Sequence, residues 1–151
     1  MGLLDWFRRN SNRKLEELPD EPLTFDESER ELSGLNVAAA LAAHAEWNRK
    51  LQEVLDGEAP MPEIGDVARD DMCALGRWIK GEGAEKFGRL PAHASLRAAH
   101  ADFHLLVGET LTAHAAGDLA KASECIRKVR SGSSRVQLEL VRLSVAARGR
   151  T

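Results

Sequence analysis

The chain has 151 residues, 30% of them charged, with a formal net charge of −3 at pH 7. This length fits one domain with a terminal segment to spare, and the near-balanced charge argues against the strong positive field of a nucleic-acid binder. Two cysteines are too few for a disulfide framework, and neither a signal peptide nor a transmembrane stretch is evident, so we expect a cytoplasmic protein with reduced thiols.

The first part of the chain differs in character from the rest. Residues 1–34 are predicted to be a flexible N-terminal segment and linker, and residues 35–151 the ordered domain. Trp6 and Phe7 are followed by basic residues, so this segment could instead touch a membrane surface or a partner groove. A frayed terminus is the simpler interpretation.

Apolar periodicity predicts helices in the first half of the domain. The first helix runs from near residue 35 to residue 55 and turns His44 toward the core. A second helix is predicted from about 65 to 81, with Cys73 and Gly76 on one stripe. Because glycine lowers helix propensity, Gly76 indicates the close approach of another backbone.

The second half is also predicted to be helical. A long third helix, from about residue 92 to 116, carries His100 and His104 on its inner stripe. A fourth is predicted through Arg130, capped by Asp118, and a break follows at Ser131-Gly132-Ser133-Ser134. The predicted fold is an all-α bundle with an additional C-terminal helix.

That additional helix, Arg135 to about Ala147, has apolar residues on two faces. One face is predicted to pack on the bundle and the other to contact a second subunit or a partner. The two faces comprise Val136, Leu140 and Leu143, and Leu138, Val141 and Val145.

Four side chains point to one metal site: His44, Cys73, His100 and His104. Three imidazoles and one thiolate are donors that Zn²⁺ prefers, and four of them close a tetrahedron. A closed site leaves no position for substrate or activated water, so we expect structure or sensing and not an enzyme. Each of these four residues, taken alone, has a plainer interpretation as a core histidine or a packed thiol. The metal site is favoured because three predicted helices turn such donors toward the same interior.

Neighbouring residues are candidates for supporting this site. Trp47 and Trp78 could exclude water from it, although plain core packing fits them equally well. Asp70 could orient an imidazole or compete for the metal, or it could simply be a solvated helix charge. Three further potential donors are interpreted as surface or core residues: His93, His114 and Cys125.

The three motifs together resemble a known family. They read His44-Ala-Glu-Trp47, Cys73-Ala-Leu-Gly-Arg-Trp78 and His100-Ala-Asp-Phe-His104. This order is similar to that of the chemoreceptor zinc-binding (CZB) domain family, whose pattern is H-x-x-[aromatic or Leu], C-x-[aliphatic]-G-x-[aromatic or Leu] and H-x-x-x-H. The resemblance extends from about Val37 to the C-terminus.

The resemblance implies a four-helix-bundle-like zinc-binding domain that is commonly homodimeric and holds one zinc per chain. Carried over to this sequence, it makes His44, His100 and His104 zinc ligands, and Cys73 both a ligand and a redox switch. Members of this family sense zinc or oxidants such as hypochlorous acid. We recognise no receptor helix or cyclase domain here, so a stand-alone bacterial module would act in trans on a chemoreceptor, diguanylate cyclase or kinase. The alternative is a structural zinc adaptor without redox switching.

Overall fold

The computed structural model describes residues 31–149, which are largely helical. Two short strands precede six helices, in the order β1 (Glu31–Leu32), β2 (Leu35–Asn36), α1 (Val37–Leu55), α2 (Ile64–Val67), α3 (Ala74–Lys80), α4 (Glu82–Phe87), α5 (Pro91–Ala115) and α6 (Leu119–Arg148). The predicted all-α bundle is therefore confirmed. Most of the predicted flexible N-terminal segment, with the alternative contact surface around Trp6 and Phe7, lies outside the described residues.

The two longest helices, α5 and α6, form the base on which the other elements pack. Gly117 has a φ of 77°, a left-handed conformation that reverses the chain after α5. The Asp118 side chain then accepts a hydrogen bond from the Lys121 amide at 3.1 Å, so the predicted cap of the following helix is confirmed. Because the connection is short, α5 and α6 run antiparallel, and α1 packs against both.

The single helix predicted over residues 65–81 is wrong. The chain forms the short helix α2, leaves helical geometry, and starts α3 only after Cys73, which is the extended N-cap residue. The Cys73 sulfur accepts a hydrogen bond from the Gly76 amide at 3.3 Å, taking the place of a serine or aspartate cap. Apolar spacing could not reveal this break, because periodicity does not report a few extended residues between two short helices.

The predicted break at Ser131-Gly132-Ser133-Ser134 is also wrong, because α6 is continuous through it. Its small residues serve close packing instead. The Ser133 hydroxyl donates to the His44 carbonyl of α1 at 2.8 Å, and Gly132 faces Phe103 and Leu106. Residues that resemble a chain break are here the place where three helices approach one another.

The C-terminal half of α6 has two apolar faces, as predicted. Val136, Leu140 and Leu143 are buried in the bundle, whereas the other face is exposed: Leu138 by 48%, Val141 by 40% and Val145 by 63%. From residue 31 to residue 149, no helix is both long and apolar enough to cross a membrane.

A small antiparallel hairpin precedes the first helix, although the sequence predicted no strand. Glu31 pairs with Asn36 and Leu32 with Leu35, and both leucines are buried in the core. Part of the predicted linker thus packs on the domain. The predicted domain limits, 1–34 and 35–151, otherwise stay a prediction.

Replacing Gly132 with alanine tests whether α6 is continuous. A Cβ there would meet its nearest neighbour, Cδ1 of Leu106, at 3.6 Å, an ordinary van der Waals contact. Alanine should therefore raise the free energy of unfolding by about 0.5–1 kcal/mol through helix propensity. Chemical denaturation of the zinc-loaded protein measures this. Gly117→Ala, at φ 77°, is the matched control and should destabilise by about 1 kcal/mol. A loss of stability in Gly132→Ala would contradict the continuous helix.

Candidate metal centre

The four predicted ligands meet in the core between α1, α3 and α5. His44 comes from the middle of α1, Cys73 from the start of α3, and His100 and His104 from successive turns of α5. The cysteine is 0% exposed and each histidine 1%. A helical spacing of four places both α5 imidazoles on one face, as the sequence predicted.

The donor atoms of three of these residues lie within a few ångströms of one another. Cys73 Sγ is 3.3 Å from His100 Nε2 and 3.7 Å from His104 Nε2, and the two Nε2 atoms are 3.2 Å apart. His44, Cys73 and His100 each offer a ligand atom within 4.8 Å of the other two, which is close enough to hold a metal ion.

These separations fit zinc. Zinc bonds of about 2.3 Å to sulfur and about 2.0–2.1 Å to nitrogen, arranged as a tetrahedron, place sulfur about 3.5 Å from nitrogen and two nitrogens about 3.3 Å apart. The two sulfur–nitrogen distances, 3.3 Å and 3.7 Å, lie on either side of the first value, and the nitrogen–nitrogen distance of 3.2 Å is close to the second. One sulfur with imidazole nitrogens is a donor set that zinc prefers. The assignment of all four residues as ligands stays a prediction, which the position of His104 Nε2 supports.

Burial keeps the site uncharged when it holds no metal. It lowers the pKa of His44 to about 3, and it also lowers the pKa values of His100 and His104, so the imidazoles are neutral and have lone pairs for a metal. Burial likewise raises the pKa of the Cys73 thiol to about 12, against the opposing hydrogen bond from the Gly76 amide. Metal binding to Cys73 therefore releases a proton from its sulfur.

A backbone carbonyl orients His104. Its Nδ1 lies 2.8 Å from the Val67 carbonyl oxygen, so this nitrogen donates the proton and Nε2 keeps its lone pair toward Cys73 and His100. The α2 segment can lie this close to α5 because Gly108 has no side chain. A Cβ at Gly108 would be only 2.8 Å from Cβ of Ala68. Sequence reasoning missed Val67, since a carbonyl has no side-chain signal, but a glycine inside α5 was an available indication of close packing.

Gly76 has the role that the sequence predicted for it. A Cβ at this position would overlap the carbonyl oxygen of Asp70 and would lie 3.1 Å from Cε1 of His100. Glycine thus allows α3 to reach both the preceding loop and the α5 imidazole, which brings Cys73 to the site.

Aromatic rings surround the histidines on one side. Trp47 is fully buried, with its ring centroid 5.9 Å from that of His104, a position that fits both water exclusion and plain core packing. Phe103, which the sequence analysis overlooked, lies 5.2 Å from the His44 ring and 5.3 Å from the His104 ring. Its position in the sequence, between His100 and His104, could have indicated that it lies at the site.

Trp78 contacts the hairpin and α4, so its predicted role in excluding water from the metal site stays a prediction. Its indole N–H donates to the Ser33 carbonyl at 2.9 Å, and its ring packs against Phe87 and Gly83. It therefore joins α3 to the hairpin and to α4.

The remaining candidate residues occupy other positions. The Asp70 carboxylate forms an ion pair with Lys80 of α3 at 2.6 Å, and the Asp70 carbonyl lies beside Gly76. An orienting or competing role for this carboxylate at the metal site stays a prediction. His93 is buried, with Nε2 2.8 Å from the Ile79 carbonyl. His114 is partly exposed and Cys125 is buried, as the sequence suggested.

A helical domain with a buried site of histidine and cysteine donors defines a metal-binding module. Residues 44–111 match the family model of the chemoreceptor zinc-binding domain, CZB. The chain thus contains such a zinc-binding domain, and the resemblance seen in the three motifs is confirmed over these residues. The match covers a little under half of the chain and ends within α5, so it does not include α6. The comparisons with curated proteins and with solved structures yield no match.

Removing single donors tests the four-ligand assignment. His104→Ala should weaken zinc binding more than about 100-fold, because even loss of an outer hydrogen-bond partner costs about 10–100-fold. Competition with a chromophoric chelator measures the affinity. In Co²⁺-loaded protein, Cys73→Ser should remove the sulfur-to-metal charge-transfer band. His114→Ala, on the same helix, is the control and should leave both readouts unchanged. Wild-type affinity in His104→Ala would limit the ligand set to three.

Proposed function

We propose that this domain is a zinc-dependent sensory module in which Cys73 is both a metal ligand and the group that reacts with an oxidant such as hypochlorous acid. The observation that carries the proposal is the Cys73 sulfur, 3.3 Å and 3.7 Å from two histidine nitrogens, at the start of a helix of only seven residues. The three histidines come from long helices, so Cys73 is the donor on the smallest element.

The chemistry of sulfur distinguishes Cys73 from the imidazoles. Zinc, when bound, keeps this sulfur as a thiolate, which is the form that oxidants attack. Hypochlorous acid transfers its oxygen with its proton to the thiolate sulfur, which is oxidised to a sulfenic acid, and chlorine leaves as chloride, so the two-electron oxidation is balanced. A sulfenic acid binds zinc poorly, and α3 then loses its link to the α5 histidines.

The complete burial of Cys73 favours a second candidate, a structural zinc adaptor whose metal never changes state. With four protein donors the tetrahedron is complete, which leaves no open position for substrate and supports a non-catalytic role in either case. The two candidates differ in whether Cys73 reacts while the fold is intact.

A stoichiometric pulse of hypochlorous acid separates the two candidates. Elemental analysis should show one zinc per chain before the pulse and less than half of it after the pulse, and mass spectrometry should locate the added oxygen on Cys73. Cys125→Ser should respond like the wild type, whereas Cys73→Ser, loaded with excess zinc, should not lose metal. Retained zinc with unmodified Cys73 would establish the adaptor instead.

We also propose that the domain forms a homodimer through the exposed apolar face of α6, and that it acts in trans on a signalling protein such as a chemoreceptor, diguanylate cyclase or kinase. Leu138, Val141 and Val145 are spaced by three and four residues, the spacing of a helix seam. A seam of this kind is self-complementary about a twofold axis, which favours a second copy as its occupant.

Placing a charge in this seam tests the dimer. Val141→Arg should shift the molar mass from about twice to about once the chain mass, because an arginine in a helix seam is buried without a partner. Light scattering after size exclusion measures the mass. Leu119→Arg is the matched control, since Leu119 is 68% exposed on the N-terminal half of the same helix, and should remain dimeric. If the wild type itself is monomeric, the proposed dimer is wrong.

A further inference from the structure

The helix that Cys73 caps is held at both ends. At its N-terminal end, Cys73 Sγ lies beside the Nε2 atoms of the α5 histidines. At its C-terminal end, the carbonyl of Ile79 accepts a hydrogen bond from Nε2 of the buried His93, also on α5, at 2.8 Å. With seven residues, α3 is about 10 Å long and moves as one body.

The C-terminal end of α3 also contacts the hairpin that leads to residues 1–30. The Trp78 indole donates to the Ser33 carbonyl at 2.9 Å, and Trp78 itself is only 8% exposed. Next to it, the Ser33 hydroxyl donates to the Glu82 carboxylate of α4 at 3.2 Å. Ser33 and Gly34 are at the turn of the hairpin, with φ values of 48° and 85°. The turn is thus fastened to the α3–α4 unit through two hydrogen bonds.

We propose that α3 is a lever that couples the state of the zinc site to the β1–β2 hairpin, with the Ile79–His93 hydrogen bond as pivot and Trp78 as the coupling side chain. Loss of the Cys73 link frees one end of α3 while His93 holds the other. Rotation about the pivot then turns the Trp78 indole away from the Ser33 carbonyl. This proposal rests on the proposed function, and it names the element through which a change at the zinc site reaches the N-terminal segment.

The packing around Trp78 makes this coupling stiff. A Cβ on Gly83 would lie 2.8 Å from the Trp78 ring, and the ring centroids of Trp78 and Phe87 are 6.1 Å apart. Because Gly83 and Phe87 both belong to α4, a tilt of the indole requires α4 to move. The hairpin, by contrast, has only two residues in each strand, and these form two antiparallel residue pairs. Because so short a hairpin is marginal by itself, its order depends on these contacts with α3 and α4.

Hydrogen–deuterium exchange on the full chain tests the lever. Removing zinc with a chelator should raise the exchange rate of the amides of residues 31–36 at least about fivefold, while the amides of α5 and α6 keep their protection. Trp78→Phe keeps an aromatic ring but removes the indole donor group and part of the ring surface that packs against Gly83. In this variant the hairpin should exchange at the raised rate with zinc bound, and zinc removal should add no further change.

Glu82→Ala is the matched control, since it removes the other bond to the turn and should retain the dependence on zinc. Thermal unfolding verifies that each variant is folded. Unchanged hairpin exchange after zinc removal, a zinc response that persists in Trp78→Phe, or loss of protection throughout α5 and α6 would each overturn the lever. Because the chelator replaces the oxidant, failure here is distinct from failure of Cys73 to react.

Discussion

The burial of three imidazoles and one thiol at a single point is the constraint on which the rest of the structure depends. A buried polar group without a partner costs about 1–3 kcal/mol of folding free energy. Four such groups would remove a large part of the net stability of a domain of this size. Contacts among Cys73, His100 and His104 and the carbonyl of Val67 satisfy part of this demand. A zinc ion satisfies the donors together, which links metal binding to the stability of the fold.

Close backbone contacts follow from the same constraint. Cys73 must reach histidines on a long helix, and a side chain of two heavy atoms cannot cover much distance. Gly76 lets α3 lie against the Asp70 carbonyl, and Gly108 lets the α2 segment lie against α5. Ser133 in turn brings α6 to the backbone of His44. Small residues thus determine how near the helices come, while large apolar residues supply the cohesion.

The site unites elements of unequal stability. His44, His100 and His104 belong to long helices that pack deeply in the bundle, whereas Cys73 precedes a helix of seven residues that ends at Gly81. A change in one metal bond therefore acts most strongly on α3 and its neighbours, because few contacts oppose their movement. The proposed lever therefore involves the short elements around α3 and not the α5–α6 pair.

The sequence by itself predicted the donor residues, and it determined the helical class and the bounds of the two periodic helices, α1 and α5, to within two residues. The spacing of four residues between His100 and His104 is local information, and so is the position of Asp118 at the start of a helix. Tertiary structure decided the break before Cys73, the continuity of α6, the carbonyl of Val67 beside His104 and the turn of Trp78 toward the hairpin. Each of these depends on which backbone lies opposite, and a pattern along one chain does not contain that information.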